Sequence, residues 1–294
     1  RMCRNHWRKG TEACDDGQNT SAPSWSTRIE TLVDSGRGQE QVGNDKLFSY
    51  IEHLQGNQPW GRLLDAGTGS KSLHWITDLA TTRWTAVTGD TARARNLEAA
   101  FRTRMRTADR VIGGNWTDPA LLYGDRYQVV LADYLLGAID GFSPYFQDRL
   151  FTRLRPHVES RLYAVGLAPY PDVSPNPWGE IILEIARLRD ACILLAGHRT
   201  YREYPVDWVI RNLESSGFVV EEVKSFPICY GPRFVKEQLA TTARKLPLIG
   251  DRALAQQLEQ SIAELRDRAL ACHGTAGSLP FGEDWVVMAR PVDS

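Results

Sequence analysis

The chain has 294 residues, 42% apolar and 24% charged, with a net charge of −1 and a pI of about 6.7. That suffices for one large domain with an appendage and a full buried core. It gives no basic field to recruit nucleic acid or an anionic membrane, and no apolar run approaches the roughly 18–20 residues that span a bilayer.

Residues 1–44 are polar and rich in Gly, Ser and Asn, and they predict a loose arm. From residue 45 the texture changes. "NDKLFSYIEHLQG" puts Leu47, Tyr50, Ile51 and Leu54 on one helical face, with Asn44 or Asp45 as cap and Gly56 as stop. "RLLDAG" then reads as a short buried strand and "SKSLHWITDLAT" as a helix. "RWTAVTGD" is a strand, "TARARNLEAAFRTRM" a helix, "DRVIGGN" a strand, and "YQVVLADYLLGAI" opens as another. "PYFQDRLFTRLRPHV" predicts a helix and "SRLYAVGLAPY" a strand. The helices "GEIILEIARLRDACILLAG" and "PVDWVIRNLESSG" and the strand "FVVEEVKSFPI" follow. Residues 233–272 read as two helices around a Pro247–Gly250 turn, then come a glycine-rich loop and a closing strand, "EDWVVMARPV".

Strands separated by helices of this length form βαβ units. The predicted fold is a doubly wound α/β protein with a mostly parallel seven-stranded sheet, an antiparallel last strand and a helical insertion before it. The boundaries are an arm at 1–44, a core at 45–232, an insertion at 233–274, and the last core strand at 275–294. Ligands of such sheets sit at the carboxyl ends of the strands.

The stretch "LLDAGTGSKSLHW" is therefore the centre of interest. A P-loop needs a glycine just before its lysine, and Ser70 stands there. A dinucleotide loop fits Gly67 and Gly69, but Asp65 opposes a pyrophosphate. A carboxylate at that strand end suits a cationic ligand, and the glycines let one lie close.

These residues resemble class I S-adenosylmethionine-dependent methyltransferases. "LLDAGTG" looks like the family's D-x-G-x-G motif, although Lys71 replaces a frequent third glycine. Asp90, twenty-five residues after Asp65, resembles the acid that grips the ribose hydroxyls. Asn115 falls where the family contacts the adenine amine, and Trp116 where it covers the ring. Asp133 ends the fourth strand facing the cofactor. The resemblance covers residues 45–232 and 284–291. It implies S-adenosylmethionine as cofactor, bound by Asp65, Gly67, Gly69, Asp90, Asn115, Trp116 and Asp133.

The acceptor is harder to read. The chain lacks the [DN]-P-P-[YF] stretch of amino-methylating nucleic-acid enzymes and any Pro-Cys nucleophile, so a nucleic-acid acceptor is not expected. Large aromatics crowd the predicted ligand edge. Tyr134, Phe142, Tyr145 and Phe146 follow the fourth strand; Tyr170, Trp178, Tyr201 and Tyr204 follow the fifth; Tyr230 follows the sixth. Tyr134, Tyr145, Tyr170, Tyr201 and Tyr230 are candidate substrate contacts in a closed pocket for a small molecule. His198 is the candidate base, with Asp133 as a second catalytic candidate. The expected function is methyl transfer to an N, O or S atom of a small molecule. The rival readings are a non-catalytic subunit of the same fold and a protein methyltransferase. The inserted helices read as a lid or a dimer arm.

Cys3, Cys14, Cys192, Cys229 and Cys272 are scattered without a C-x-x-C pair. That favours free thiols in a reducing compartment, the cytoplasm first, with an organelle stroma or matrix left open. Cys3, His6 and Cys14 lack a fourth ligand, and no metal is expected.

Overall fold

A computed structural model describes residues 41–292. Residues 1–40 of the arm predicted at 1–44, and the cluster of Cys3, His6 and Cys14, lie outside the described residues, whereas residues 41–44 begin a helix. Helix α1 (Gln41–Gln55) leads into β1 (Arg62–Asp65), α2 (Ser70–Asp78), β2 (Arg83–Thr88), α3 (Thr91–Phe101) and β3 (Arg110–Gly113). The chain continues through β4 (Tyr127–Asp133), the one-turn α4 (Leu135–Ala138), α5 (Gln147–Leu154) and β5 (Val158–Leu167). Then come α6 (Pro177–Leu195), α7 (Val206–Ser215), β6 (Phe218–Cys229), α8 (Pro232–Ala243), α9 (Arg252–Ala276) and β7 (Pro280–Pro291).

The seven strands form one sheet in the order β3-β2-β1-β4-β5-β7-β6. Neighbours from β3 to β5 pair in parallel, and β7 runs antiparallel between β5 and β6. This is the expected architecture. The central strands are nearly continuous runs of apolar residues because both faces are covered. On one face Leu64, Val130, Leu162 and Val287 meet Phe151 of α5 and Leu213 of α7. On the other, Leu63, Val129, Leu131 and Val286 meet Ile51 of α1 and Ile76 of α2.

Several boundaries differ from expectation. Helix α1 starts at Gln41, so Asn44 and Asp45 lie inside it rather than capping it, while Gly56 ends it at φ +55° as predicted. The helices expected at 91–105 and 144–158 are shorter, because a 3-10 turn follows each at Arg102–Arg104 and Arg155–His157. The loop expected after residue 272 is instead helical through Ala276, since no proline stands before Pro280 to break the ladder.

The insertion does not stand alone. Helices α8 and α9 pack on α6, with Trp178, Ile182, Phe234, Val235, Ile262 and Leu265 in a third apolar core. Helix α6 leaves the carboxyl end of β5, α8 leaves that of β6, and α9 returns to the start of β7. All three therefore rise from the ligand edge of the sheet as a helical cap. The cap is anchored by the Trp178 indole, which is fully buried and donates to the Tyr230 carbonyl at 3.0 Å.

Candidate functional site

The strand order reverses between β1 and β4, and loops leaving such a point open a crevice. A cleft of about 510 Å³, its mouth included, lies there. Four strand ends line it: Ala66, Gly67 and Thr68 after β1, Thr88, Gly89 and Arg93 at β2, and Gly114, Asn115 and Trp116 after β3. Leu135, Ala138, Ile139 and Phe142 line it from the segment after β4. Parallel-ladder hydrogen bonds carry the order past the strands into these turns. Ala66 N–H donates to the Leu131 carbonyl at 2.8 Å, Thr68 N–H to that of Val87 at 2.7 Å, and Gly114 N–H to that of Thr88 at 2.8 Å.

Asp65 sits at the base of the glycine turn and is completely buried. Its Oδ1 accepts a long 3.4 Å bond from Gly67 N–H, and Oδ2 makes no hydrogen bond of normal geometry. Burial pushes its carboxyl up to about 7. The Thr68 and Ser72 hydroxyls offset part of that, while the nearby Asp133 carboxylate adds to it. Asp133 ends β4, also buried. Two carboxylates thus lie under one turn.

Asp90 is buried at the end of β2 and caps α3, its Oδ1 accepting from Arg93 N–H at 2.8 Å. Asn115 organises its own loop. Its Oδ1 takes Thr117 N–H at 3.0 Å, the Thr117 hydroxyl at 2.9 Å and the Ser143 hydroxyl at 2.7 Å. Trp116 is 3% exposed, and its indole N–H donates to the Ala66 carbonyl at 2.7 Å, tying the β3 turn to the β1 turn. Its edge lines the cleft, yet most of the ring belongs to the core.

Of the thirteen residues lining the cleft, only Gly67, Asn115 and Trp116 belong to the cofactor set read from sequence, and three of the others shape it most. Leu135 packs on Gly67, where an added Cβ would come within 2.9 Å of it. Phe142 packs on Gly89, where a Cβ would come within 2.5 Å. The first glycine of the motif therefore admits a side chain of the β4 segment, and Gly69 is the more open of the pair. Phe142 was grouped with acceptor-side aromatics, and the fold sets it against Gly89 on the cleft wall. The third residue, Arg93, stands one turn into α3, and its only sequence signal is the spacing of three from Asp90.

The acceptor-side residues separate into groups. Tyr134, Tyr170 and Tyr230 converge beneath the cap. The Tyr134 hydroxyl donates to the buried Asp284 carboxylate at 2.6 Å, and the Tyr170 hydroxyl donates to that of Tyr230 at 2.5 Å. Tyr134 holds φ +47°, a left-handed conformation that turns the chain sharply after β4. Burial raises Tyr170 to about 12 and Tyr230 well above its ordinary value, so both remain protonated phenols at neutral pH. Tyr145 is 80% exposed beneath the Arg199 guanidinium and lines no closed pocket. Tyr201 lies against Gly141. His198 is off the cleft wall: its Nδ1 faces Lys245 Nζ at 3.2 Å in the cap. The long α6 carries it there, so a base role toward the cleft gains no support. Trp178 is a cap-core residue, not a pocket wall.

Among the described residues no group of His, Cys, Asp and Glu is placed to hold a metal, and no helix is long and apolar enough to cross a membrane. Cys192, Cys229 and Cys272 are free thiols.

No family model and no curated relative matches the chain. Solved structures do. SpnF, a [4+2]-cyclase, is 15% identical over 92% of this chain and 93% of its own, with a TM-score of 0.53. A methyltransferase candidate from Bacillus halodurans is 13% identical over 84% and 99%, with a TM-score of 0.54. The Haemonchus contortus phosphoethanolamine N-methyltransferase 2, solved with phosphomonomethylethanolamine and S-adenosylhomocysteine, is 12% identical over 92% of this chain and 58% of its own, at a TM-score of 0.50. The chain has the fold of class I S-adenosylmethionine-dependent methyltransferases. In this methyltransferase fold the cleft described above lies at the carboxyl ends of β1 to β4, and the cap covers those of β5 and β6.

Proposed function

We propose that the protein is an S-adenosylmethionine-dependent methyltransferase acting on a small molecule. The observation that carries this reading is Asp65, a buried carboxylate with one oxygen unsatisfied beneath a glycine turn at the sheet's switch point. A phosphate placed there would meet like charge. A ligand bearing an ammonium and a sulfonium would ionise and neutralise the acid. The residues fit the cofactor in other respects. Gly69 leaves backbone approachable, Asp90 at the end of β2 is the ribose candidate, and Gly114 and Asn115 line the part of the cleft left for the adenine. The cofactor supplies an activated methyl group. The chain's own work is to hold the acceptor's lone pair in line and exclude water. The segment from Leu135 to Phe142 shields the cleft, and Tyr134, Tyr170 and Tyr230, whose hydroxyls pair with Asp284 and with one another beneath the cap, are the candidates for the acceptor side.

A second reading keeps the fold and drops the chemistry. Leu135 against Gly67 and Phe142 against Gly89 narrow the cleft, as a non-catalytic binding subunit would tolerate, and SpnF is a cyclase on this same scaffold. An open groove for a protein acceptor is disfavoured by the helices over the β5–β7 edge. Titration calorimetry with S-adenosylmethionine and S-adenosylhomocysteine, then a tritiated-methyl screen of a metabolite extract, separates these readings. Binding with a labelled small product supports the first reading, and absence of heat with either nucleoside overturns it and favours the non-catalytic subunit.

A further inference from the structure

Trp116 gives the cleft part of its wall, and the ring has a support of its own. The Arg153 guanidinium of α5 lies 5.3 Å from the centroid of the Trp116 ring. Its Nη2 donates to the carbonyls of Leu121 at 2.6 Å and Asp118 at 3.1 Å. One side chain thus holds both the ring and the turn that follows it. Its Nη1 lies 2.6 Å from Nε2 of His157, and His157 Nδ1 lies 2.8 Å from the Asp125 carbonyl oxygen. These partners fix the tautomer. A carbonyl only accepts, so Nδ1 carries the proton; a guanidinium only donates, so Nε2 offers its lone pair. His157 is therefore a buried, neutral imidazole, its ring 5.9 Å from that of Trp116.

A second proton on Nε2 would remove the acceptor that Arg153 uses and set two cations against each other. The charged groups facing the imidazole are Arg153 from α5 and Asp125 from the loop before β4, whose carboxylate is paired with Arg110 of β3 at 2.7 Å. Asp118, after β3, acts on Arg153. Burial above all, helped by the Arg153 charge, holds His157 below its ordinary value, against the opposing pull of Asp125.

We infer that Arg153 is a positioning residue for the cleft and that His157 makes it pH-sensitive: a neutral His157 lets the guanidinium fix Trp116 and the 118–121 turn, and a protonated one releases them. The release reaches the cleft because the Trp116 indole also ties the β3 turn to the Ala66 carbonyl of the β1 turn at 2.7 Å. The inference rests on the S-adenosyl reading above and adds to it a control placed behind the site. Since the clamped state excludes the proton, the hold is complete above the ordinary histidine value of about 6.5 and weakens as pH falls below it.

The test is calorimetry with S-adenosylhomocysteine from about pH 7.5 to about 5.5 on the wild type, His157→Gln and Arg153→Lys, with circular dichroism melts to verify folding. Asp65 titrates in the same window in all three, so the difference between the profiles is what counts. Glutamine still offers an acceptor and a donor but does not titrate. His157→Gln should bind within about twofold of the wild type at the upper end and about fivefold tighter than the wild type at the lower end. Arg153→Lys should bind about fivefold more weakly than the wild type at the upper end, because lysine lacks the planar fork. In protein labelled with 5-fluorotryptophan, the Trp116 resonance, assigned by its absence from Trp116→Phe, should shift with pH in the wild type and stay fixed in His157→Gln. Identical pH profiles in the wild type and His157→Gln, a Trp116 resonance that behaves alike in both, or unchanged affinity in folded Arg153→Lys overturns the inference and leaves the S-adenosyl reading standing. A wild type that binds no S-adenosylhomocysteine overturns that reading and this inference with it.

Discussion

Over β1 to β4 the ligand edge is made of turns a few residues long, each held by ladder hydrogen bonds continued from its strand. Over β5 to β7 the same edge carries three helices with an apolar core of their own. The first half positions its groups through the backbone, so Asp65, Asp90 and Asn115 fall where strand ends put them. The second half positions its groups through contacts between residues far apart in sequence, such as Tyr134 with Asp284 and Trp178 with Tyr230. The proposed nucleoside site on the strand-turn half and the proposed acceptor site beneath the helical half should therefore respond differently to mutation.

The largest expected effect tests whether the halves are independent. Trp178→Ala removes a fully buried ring and its bond to the Tyr230 carbonyl just after β6, and should cost about 3–5 kcal/mol in denaturant unfolding. If the halves are separate, the folded variant still binds S-adenosylhomocysteine with near wild-type affinity. A parallel loss of nucleoside binding would break the comparison.

Next in size is the pH response of Asp65. Between pH 4 and 7 its carboxyl holds more proton in the folded chain than in the unfolded one, because burial raises it to about 7. Its contribution therefore disfavours the folded state increasingly as pH rises through that window, by at most about 4 kcal/mol, and levels off above it. Asp65→Asn should flatten that slope in melts taken across the window. Binding of the cationic cofactor at pH 6 should release a proton from the wild type, read as a buffer-dependent calorimetric heat, and release none from Asp65→Asn.

Asp90 is both cap and ribose candidate, so Asp90→Ala mixes two losses. Asp90→Ser keeps a capping oxygen and removes the charge. The alanine variant should lose about 1 kcal/mol more stability than the serine variant, while both lose S-adenosylhomocysteine affinity. Retained affinity in both would remove Asp90 from the ribose.

The smallest effect sharpens the acceptor side. Tyr230→Phe deletes the phenol that accepts from Tyr170 and should cost about 1 kcal/mol. Nucleoside affinity should stay unchanged while the acceptor KM moves. An unchanged KM in both Tyr230→Phe and Tyr170→Phe would place the acceptor elsewhere.

The two halves also differed in how well they could be read from sequence. β1 and β2 are short runs of apolar residues ending in an acid or Gly-Asp, which local pattern alone reveals. The mostly parallel sheet and its antiparallel last strand follow from that alternation together with the family resemblance, whereas the strand order is seen only in the structure. Arg93 escaped notice because its place on the cleft wall depends on how its side chain crosses to Gly69, which spacing does not encode. Phe142 was read as acceptor-side because a turn of α4 and a 3-10 turn, invisible to periodicity, swing it back onto Gly89. His198 drew attention by residue type alone, and only packing shows that Lys245 faces it.

The position of β7 between β5 and β6 has a consequence for how the molecule is made. When β6 emerges during synthesis it has no edge to join, because its only neighbour in the sheet is β7 and lies more than fifty residues further along, from Pro280. The cap helices must be synthesised, and the chain must turn back, before the outermost strand can be stitched in. Helices α8 and α9 are then a loop clamped at both feet by one antiparallel seam and held along its length by α6, so it does not swing away on a single hinge.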